Sequence, residues 1–276
     1  MPSTMTRPPV APSEGRPVVD DLLVLWQLPE TREITPIGRL RNLGDHFQFA
    51  YAVGASRVEG FRPLPGLRAF DRVYRSRELP QVFGQRTLMP SRPDFESYVA
   101  RLGLEPELAS PWEQIVRSGG HRQGDTLQVM PMPVVRDRRV RSTFLGNGVR
   151  WISKNRLCLE GVDTQVSEED QETALLGLHV GDVVTIARDV GNTFDEHACL
   201  ILAGSTPVAR VPRVLTRSFR ELLQVGQPQV LVAALGDPAG SPHLRITLTL
   251  DTPAPQGFAF DRDGLWEPIT GWEEPA

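Results

Sequence analysis

Within ten residues the chain gathers Arg188, Asp189, Asn192, Asp195, Glu196 and His197 around one aromatic ring, Phe194. These types supply a guanidinium, carboxylates, an amide, an imidazole and a surface for stacking. As a binding loop, the ring would stack on a flat ligand while the charges fix its polar edge. As a tight turn, Asp189, Asn192 and Asp195 would bond their own backbone, and Phe194 would plug the mouth of a barrel. The spacing favours turn structure for Asp189 and Asn192, and leaves Phe194 and Asp195 evenly divided between the two. A metal site is disfavoured, because on an extended segment Asp195 and His197 face one side and Glu196 the other, with no further ligands evident. The chain offers no GxSxG elbow, no HExxH, no GxxxxGK[ST] phosphate loop and no Cys–His pairing, so it is expected to be no enzyme and to need no cofactor.

The elements that must hold this elbow can be read on either side of it. Residues 183–211 form an apolar strand, the polar elbow and two short strands. Upstream, residues 143–151 read as a strand bent at glycine, and Ser167 followed by Glu168, Glu169 and Asp170 marks a helix start, its acids explained by the helix dipole. Downstream, Leu215, Phe219, Leu222 and Leu223 share one helical face that Gly226 terminates. Two strands, 230–235 and 244–250, follow, the second alternating Leu244, Ile246, Leu248 and Leu250 with polar residues. Nearer the N-terminus, 22–27 and 33–40 pair across a turn, and 46–51 alternates polar and aromatic residues. Helical spacing appears over 76–83 and 94–104, with a short helix opening at Pro111 and stopping at Gly119-Gly120, before 125–132 returns to strand.

Composition bounds what such a chain can do. Its 276 residues allow two modest domains, and the formal net charge of −4 argues against nonspecific coating of nucleic acid, so any such site must be local. Charge is uneven: residues 1–140 carry 19 basic and 16 acidic side chains, whereas 253–276 carry one and five. Lys154 is the only lysine. Cys158 and Cys199 encode neither a disulfide framework nor a zinc ribbon and read as buried thiols. No apolar run approaches a membrane span, and residues 1–20, rich in Pro, Ser and Thr, read as a disordered leader without signal-peptide character. A cytoplasmic protein is expected. Pro131-Met132-Pro133 and the arginine-rich stretch after it suggest a linker over 136–142, the arginines forming a solvated face. From 253 on, an acidic tail with Trp266 and Trp272 is expected to dock back on the domains.

Two resemblances add to this reading. Gly38 and Leu40, the FxFxY run of Phe47, Phe49 and Tyr51, then Tyr74, Ser76, Leu79 and Phe83, Ser91-Arg92-Pro93, Gly119-Gly120 and Asp125 are similar to the N-terminal subdomain of the HipA toxin-kinase family. That likeness spans roughly residues 22–133. It implies a small sheet-plus-helices domain and a separately encoded HipA-like kinase as partner, without kinase activity in this chain. Gly148-Val149-Arg150-Trp151, residues 178–181, residues 183–198 and residues 207–212 resemble a HIRAN domain. This likeness implies an OB-like β-barrel that captures the 3′ end of single-stranded DNA in a repair, replication-fork or defence setting. By the resemblance, Trp151 and Phe194 wall the terminal base, Asp195 accepts from the 3′ hydroxyl, and Arg150 meets phosphate; Arg188 and Arg210 complete the nucleic-acid-binding set. Thr193 departs from the usual proline, Phe194 from tyrosine and Ala209 from glycine, softening the loop, removing a phenolic hydrogen bond and crowding the backbone.

The expected fold is α+β: a leader (1–20), a HipA-N-like domain (21–135), the linker (136–142), a HIRAN-like barrel (143–252) and the tail (253–276). The expected function is binding of single-stranded DNA or its 3′ ends, with a repair enzyme as a further candidate partner. The alternative is a protein-interaction adaptor that binds or neutralises a HipA-like kinase. No membrane association is expected.

Overall fold

A computed structural model describes residues 19–28, 33–122, 124 and 126–272. The expected leader up to residue 18, Asp125 of the HipA-like pattern and residues 273–276 of the tail lie outside the described residues. The first sheet joins β1 (Asp21–Gln27), β2 (Ile34–Asn42), β3 (Phe47–Tyr51) and β4 (Tyr74–Ser76) to β5 (Leu127–Pro131), which follows helices α1 (Gln81–Gly84), α2 (Phe95–Arg101) and α3 (Pro111–Ser118). Its order is β4-β3-β2-β1-β5, antiparallel throughout. One face buries Leu22, Val24 and Phe49 against Phe83 of α1 and Trp112 and Ile115 of α3. The Tyr51 hydroxyl accepts from the Leu64 N–H and donates to the Leu67 carbonyl at 2.7 Å, pinning the proline-rich connection to the sheet. The Ser110 side chain caps α3 and Gly119, at φ 66°, ends it in the left-handed region. The helix expected over 76–83 is shorter: Tyr74–Ser76 extends the sheet, and helix begins only after Pro80.

The second sheet has the order β12-β11-β10-β13-β14-β7-β6. Its strands are β6 (Val134–Arg136), β7 (Arg139–Leu145), β10 (Val183–Arg188), β11 (Cys199–Ala203), β12 (Thr206–Arg210), β13 (Val230–Leu235) and β14 (Ile246–Pro253). A small hairpin of β8 (Leu157–Leu159) and β9 (Val162–Thr164) lies beside it, with α4 (Val149–Ile152), α5 (Glu168–Leu176) and α6 (Arg213–Val225). The sheet curls until Asn147, just past β7, bridges Arg210 at the end of β12. Gly146 permits that approach: a Cβ there would lie 2.6 Å from Ile246 Cγ2 and 3.0 Å from Ala209 Cβ. Ala209 therefore fits without crowding the backbone, because its neighbour Gly146 has no side chain. Val140, Phe144, Ile186, Leu248 and Leu250 fill the inside, and Leu215, Phe219 and Leu222 of α6 pack against them. The chain is thus α+β with antiparallel sheets, one curled into a half-barrel.

Three expectations change. Residues 136–142 are no linker: Asp137 and Arg138, at φ 52° and 59°, make the two-residue turn of the β6–β7 hairpin. Arg139 and Arg141 pair with Asp251 while Val140 between them is buried, so the charge run is the outward face of a strand. Arg150 and Trp151 stand on the single turn of α4 and not on a strand. The tail docks back, as expected, but it also bridges the two sheets. Phe258 and Trp266 join the core that holds Leu23, Leu25 and Met130 of the first sheet with Phe144 and Phe219 of the second. Asp261 accepts from the N–H groups of Leu265 and Trp266, Pro268 bridges Ala52, and the Arg41 guanidinium lies 4.3 Å from the Trp272 ring. The two halves share a core. Among the described residues no helix is long and apolar enough to cross a membrane.

Candidate nucleic-acid interface

The elbow between β10 and β11 is built on Asp189, which is 3 % exposed. Its Oδ1 accepts the Cys158 N–H at 3.0 Å; its Oδ2 accepts Asn192 Nδ2 at 2.9 Å and an Arg210 guanidinium nitrogen at 3.2 Å. Asn192 Oδ1 accepts in turn from the N–H groups of Phe194 and Asp195, a local turn that its short amide side chain can close. Asp195 Oδ1 accepts from the His197 N–H. Asp189 and Asn192 are therefore loop structure, and they present Phe194, 74 % exposed, at the tip. The β8–β9 hairpin braces the elbow, with Leu159 bridging Asp189. Among the described residues no group of His, Cys, Asp and Glu could hold a metal ion, in keeping with a buried Asp189 and an Asp195 turned back on its own loop.

The two arginines nearest the elbow are engaged. Arg188 Nε donates to Glu160 at 2.6 Å and its backbone N–H to the other carboxylate oxygen. Burial would raise the Glu160 carboxyl, but these bonds and the Arg188 charge hold it below its usual range. Arg210, its side chain 18 % exposed, is the counterion of Asp189, and its backbone pairs with Asn147. Arg210 thereby ties the elbow to the turn that opens α4.

On α4, Trp151 is 44 % exposed. The Arg150 guanidinium lies 4.8 Å from its ring centroid and the Lys154 ammonium 5.9 Å. Arg150, Lys154 and Arg156 are exposed, and none forms an ion pair among the described residues. A one-turn helix has little stability of its own; the buried Gln171 of α5 holds this one by donating to the Val149 and Val208 carbonyls at 2.7 and 3.0 Å. Burial pushes the nearby Cys199 thiol up to about 12, so it is no nucleophile.

Trp151 and Phe194 make no ring contact among the described residues, so they are two separate platforms on loops that Arg210 anchors. Arg150 and Trp151 also stand at one rim of a cavity of about 590 Å³ between the two sheets, which Phe194 and Asp195 do not line. A smaller space of about 180 Å³ adjoins it, lined by Tyr98, Arg101, Asp237, His121 and His243. There the His121 and His243 ring centroids lie 4.5 Å apart with the rings tilted by 34°, and the Ser241 hydroxyl lies 2.7 Å from His243 Nδ1. Burial and then the His121 charge push His243 down to about 4. Lys154, Arg156 and Gln171 were missed from sequence, as was the cavity. The two cations follow Trp151 by three and five residues and could have been noticed; the Gln171 bonds span more than twenty residues and leave no local trace. No family model matches this chain, and neither a curated protein nor a solved structure matches it.

Proposed function

We propose that this chain binds single-stranded nucleic acid, with DNA and its 3′ ends as the preferred target, through a HIRAN-like, OB-type use of the half-barrel. The observation that carries the reading is the half-exposed Trp151 with two cations, Arg150 and Lys154, beside its ring, neither of them paired with a carboxylate among the described residues. An exposed indole with cations beside it offers both base stacking and phosphate contact, the combination that single strands require. Phe194 adds a second exposed ring. Beside it, Asp195 keeps Oδ2 as an acceptor for a terminal hydroxyl, where a continuing phosphate would be repelled. Phosphate contact is assigned to Arg150 and Lys154, because Glu160 neutralises Arg188 and Asp189 neutralises Arg210.

The test is fluorescence anisotropy with a 5′-labelled oligonucleotide, its 3′ end either free or phosphorylated. Trp151→Ala and Phe194→Ala are each expected to weaken binding about 5- to 100-fold, the range for losing one base stack, and the 3′ phosphate to weaken the parent. With two phosphates engaged, log affinity should fall with log salt at a slope of about −1.4. Absence of binding by the parent, or parental affinity in both ring variants, would overturn the reading.

A further inference from the structure

The cavity between the sheets is lined mainly by apolar side chains, Leu25, Ile34, Val129 and Leu145 among them, but it also carries polar groups that apolar packing does not call for. From the half-barrel, β7 and β14 present Thr143, Thr247 and Thr249, with Thr143 and Thr249 a cross-strand pair. From the first sheet, Gln128 faces them beside its cross-strand neighbour Leu25. Asn147 stands near the rim. These five side chains are half-buried, and among the described residues none makes a hydrogen bond to protein. Valine would fill each threonine position with the same shape at no polar cost, whereas an unsatisfied hydroxyl or amide that loses water is penalised. A volume of about 590 Å³ lies within the ordinary range for small-molecule sites, and the space sits at a junction between two halves where such sites are common. At the rim, Arg150 has no ion partner among the described residues, so it can take an anion.

We propose that this slot binds a free mononucleotide, its heteroaromatic base between the threonine and glutamine walls and its phosphate on Arg150. Hydroxyls and amides both donate and accept, which matches the mixed edge of a base; a fatty acid would leave all five groups stranded. The site shares Arg150 and Trp151 with the proposed strand site, whereas Phe194 and Asp195 lie outside it, so Phe194→Ala separates the two.

Isothermal titration of the full chain with AMP, GMP, CMP and UMP tests this, with the matching nucleosides, inorganic phosphate and an eight-residue oligonucleotide as further arms. At least one monophosphate should bind with a micromolar Kd, its nucleoside about tenfold more weakly for want of a charge-assisted bond, and inorganic phosphate far more weakly than either. Thr249→Val and Gln128→Leu, both close in shape to the parent, should each weaken nucleotide binding about 5- to 10-fold at unchanged melting temperature, and Phe194→Ala should leave it unaltered. The proposal is overturned if no monophosphate binds at about 1 mM, or if both wall variants bind like the parent. It is overturned too if the wall variants weaken only the oligonucleotide, which would make the slot part of a strand site.

Discussion

Replacing Asp189 by asparagine tests whether the elbow is organised by one buried carboxylate. The side chain is 4 % exposed and accepts from three donors, of which Arg210 is a cation, 18 % exposed. Asparagine keeps an acceptor for the Cys158 N–H but turns its amide toward Asn192 Nδ2 and the Arg210 guanidinium, placing donor against donor. Asn192 cannot flip to compensate, because its Oδ1 already accepts from Phe194 and Asp195. Arg210 is left without its counterion in a place where its Nε has no hydrogen-bond partner. Removing one member of a buried pair costs about 3–5 kcal/mol. Partial solvent access at Arg210 argues for the lower end, about 3 kcal/mol, which in a chain of this size lowers the melting temperature by about 6–12 °C. Thermal melts followed by tryptophan fluorescence read this directly, with Glu196→Gln, at a side chain 87 % exposed, as the neutral control. A double-mutant cycle with Arg210→Met should return a coupling of at least about 1.5 kcal/mol. Asp189→Asn should also weaken oligonucleotide binding although Phe194 and Asp195 remain, since their loop loses its anchor. A melting temperature within about 2 °C of the parent would refute the reasoning, because no route other than a solvated or absent pair leads to that result.

The remaining predictions concern the scaffold. Gly146→Ala puts a Cβ against Ile246 and Ala209 at the point where the half-barrel curls, and should cost about 1–3 kcal/mol in urea unfolding, part of it regained by adding Ala209→Gly. Trp266→Ala empties a site 5 % exposed in the shared core and should cost about 3–5 kcal/mol; a loss below about 1 kcal/mol would mean the tail is not integral to that core. His243 is held neutral, with its pKa pushed down to about 4 from an ordinary 6.5, so the unfolded chain binds this proton first. Its contribution is complete above about pH 6.5 and lost as pH falls toward about 4, by roughly 1–2 kcal/mol after allowance for partial exposure. His243→Phe should flatten the unfolding free energy across that window.

How much of this was legible in the chain depended on how local the cause was. Strand β14 could be read because one face is buried and the other is not, so Ile246, Leu248 and Leu250 alternate with threonines. The turn role of Asn192 was legible for the same reason, since its bonds reach only two and three residues along the chain, whereas Asp189 bonds Cys158 and Arg210, 31 and 21 residues away, and not the backbone of its own loop. Residues 136–142 resemble a linker in charge content, but their alternation is that of a strand: Arg139 and Arg141 flank a buried Val140. Helix α4 left no periodic signal, being one turn long, and exists because Gln171 and the turn at Gly148 hold it there.

The cavity illustrates the deeper limit. Thr249 and Gln128 lie on different sheets more than a hundred residues apart, and each threonine alone is an ordinary outward-facing strand residue. Their meaning comes from the face set opposite them. Trp151 differs: the resemblance already singles it out, but the cations beside its ring come together only where Gln171 holds the one-turn helix that carries it and Arg210 pairs with the turn before it. On the proposed reading, stability and recognition are separable in this chain. The buried Asp189 and Gln171, with the half-buried Arg210, hold the local structure, whereas Trp151, Arg150 and Phe194 stay exposed. Variants of the first group should lose fold and binding together, and variants of the second should lose binding alone.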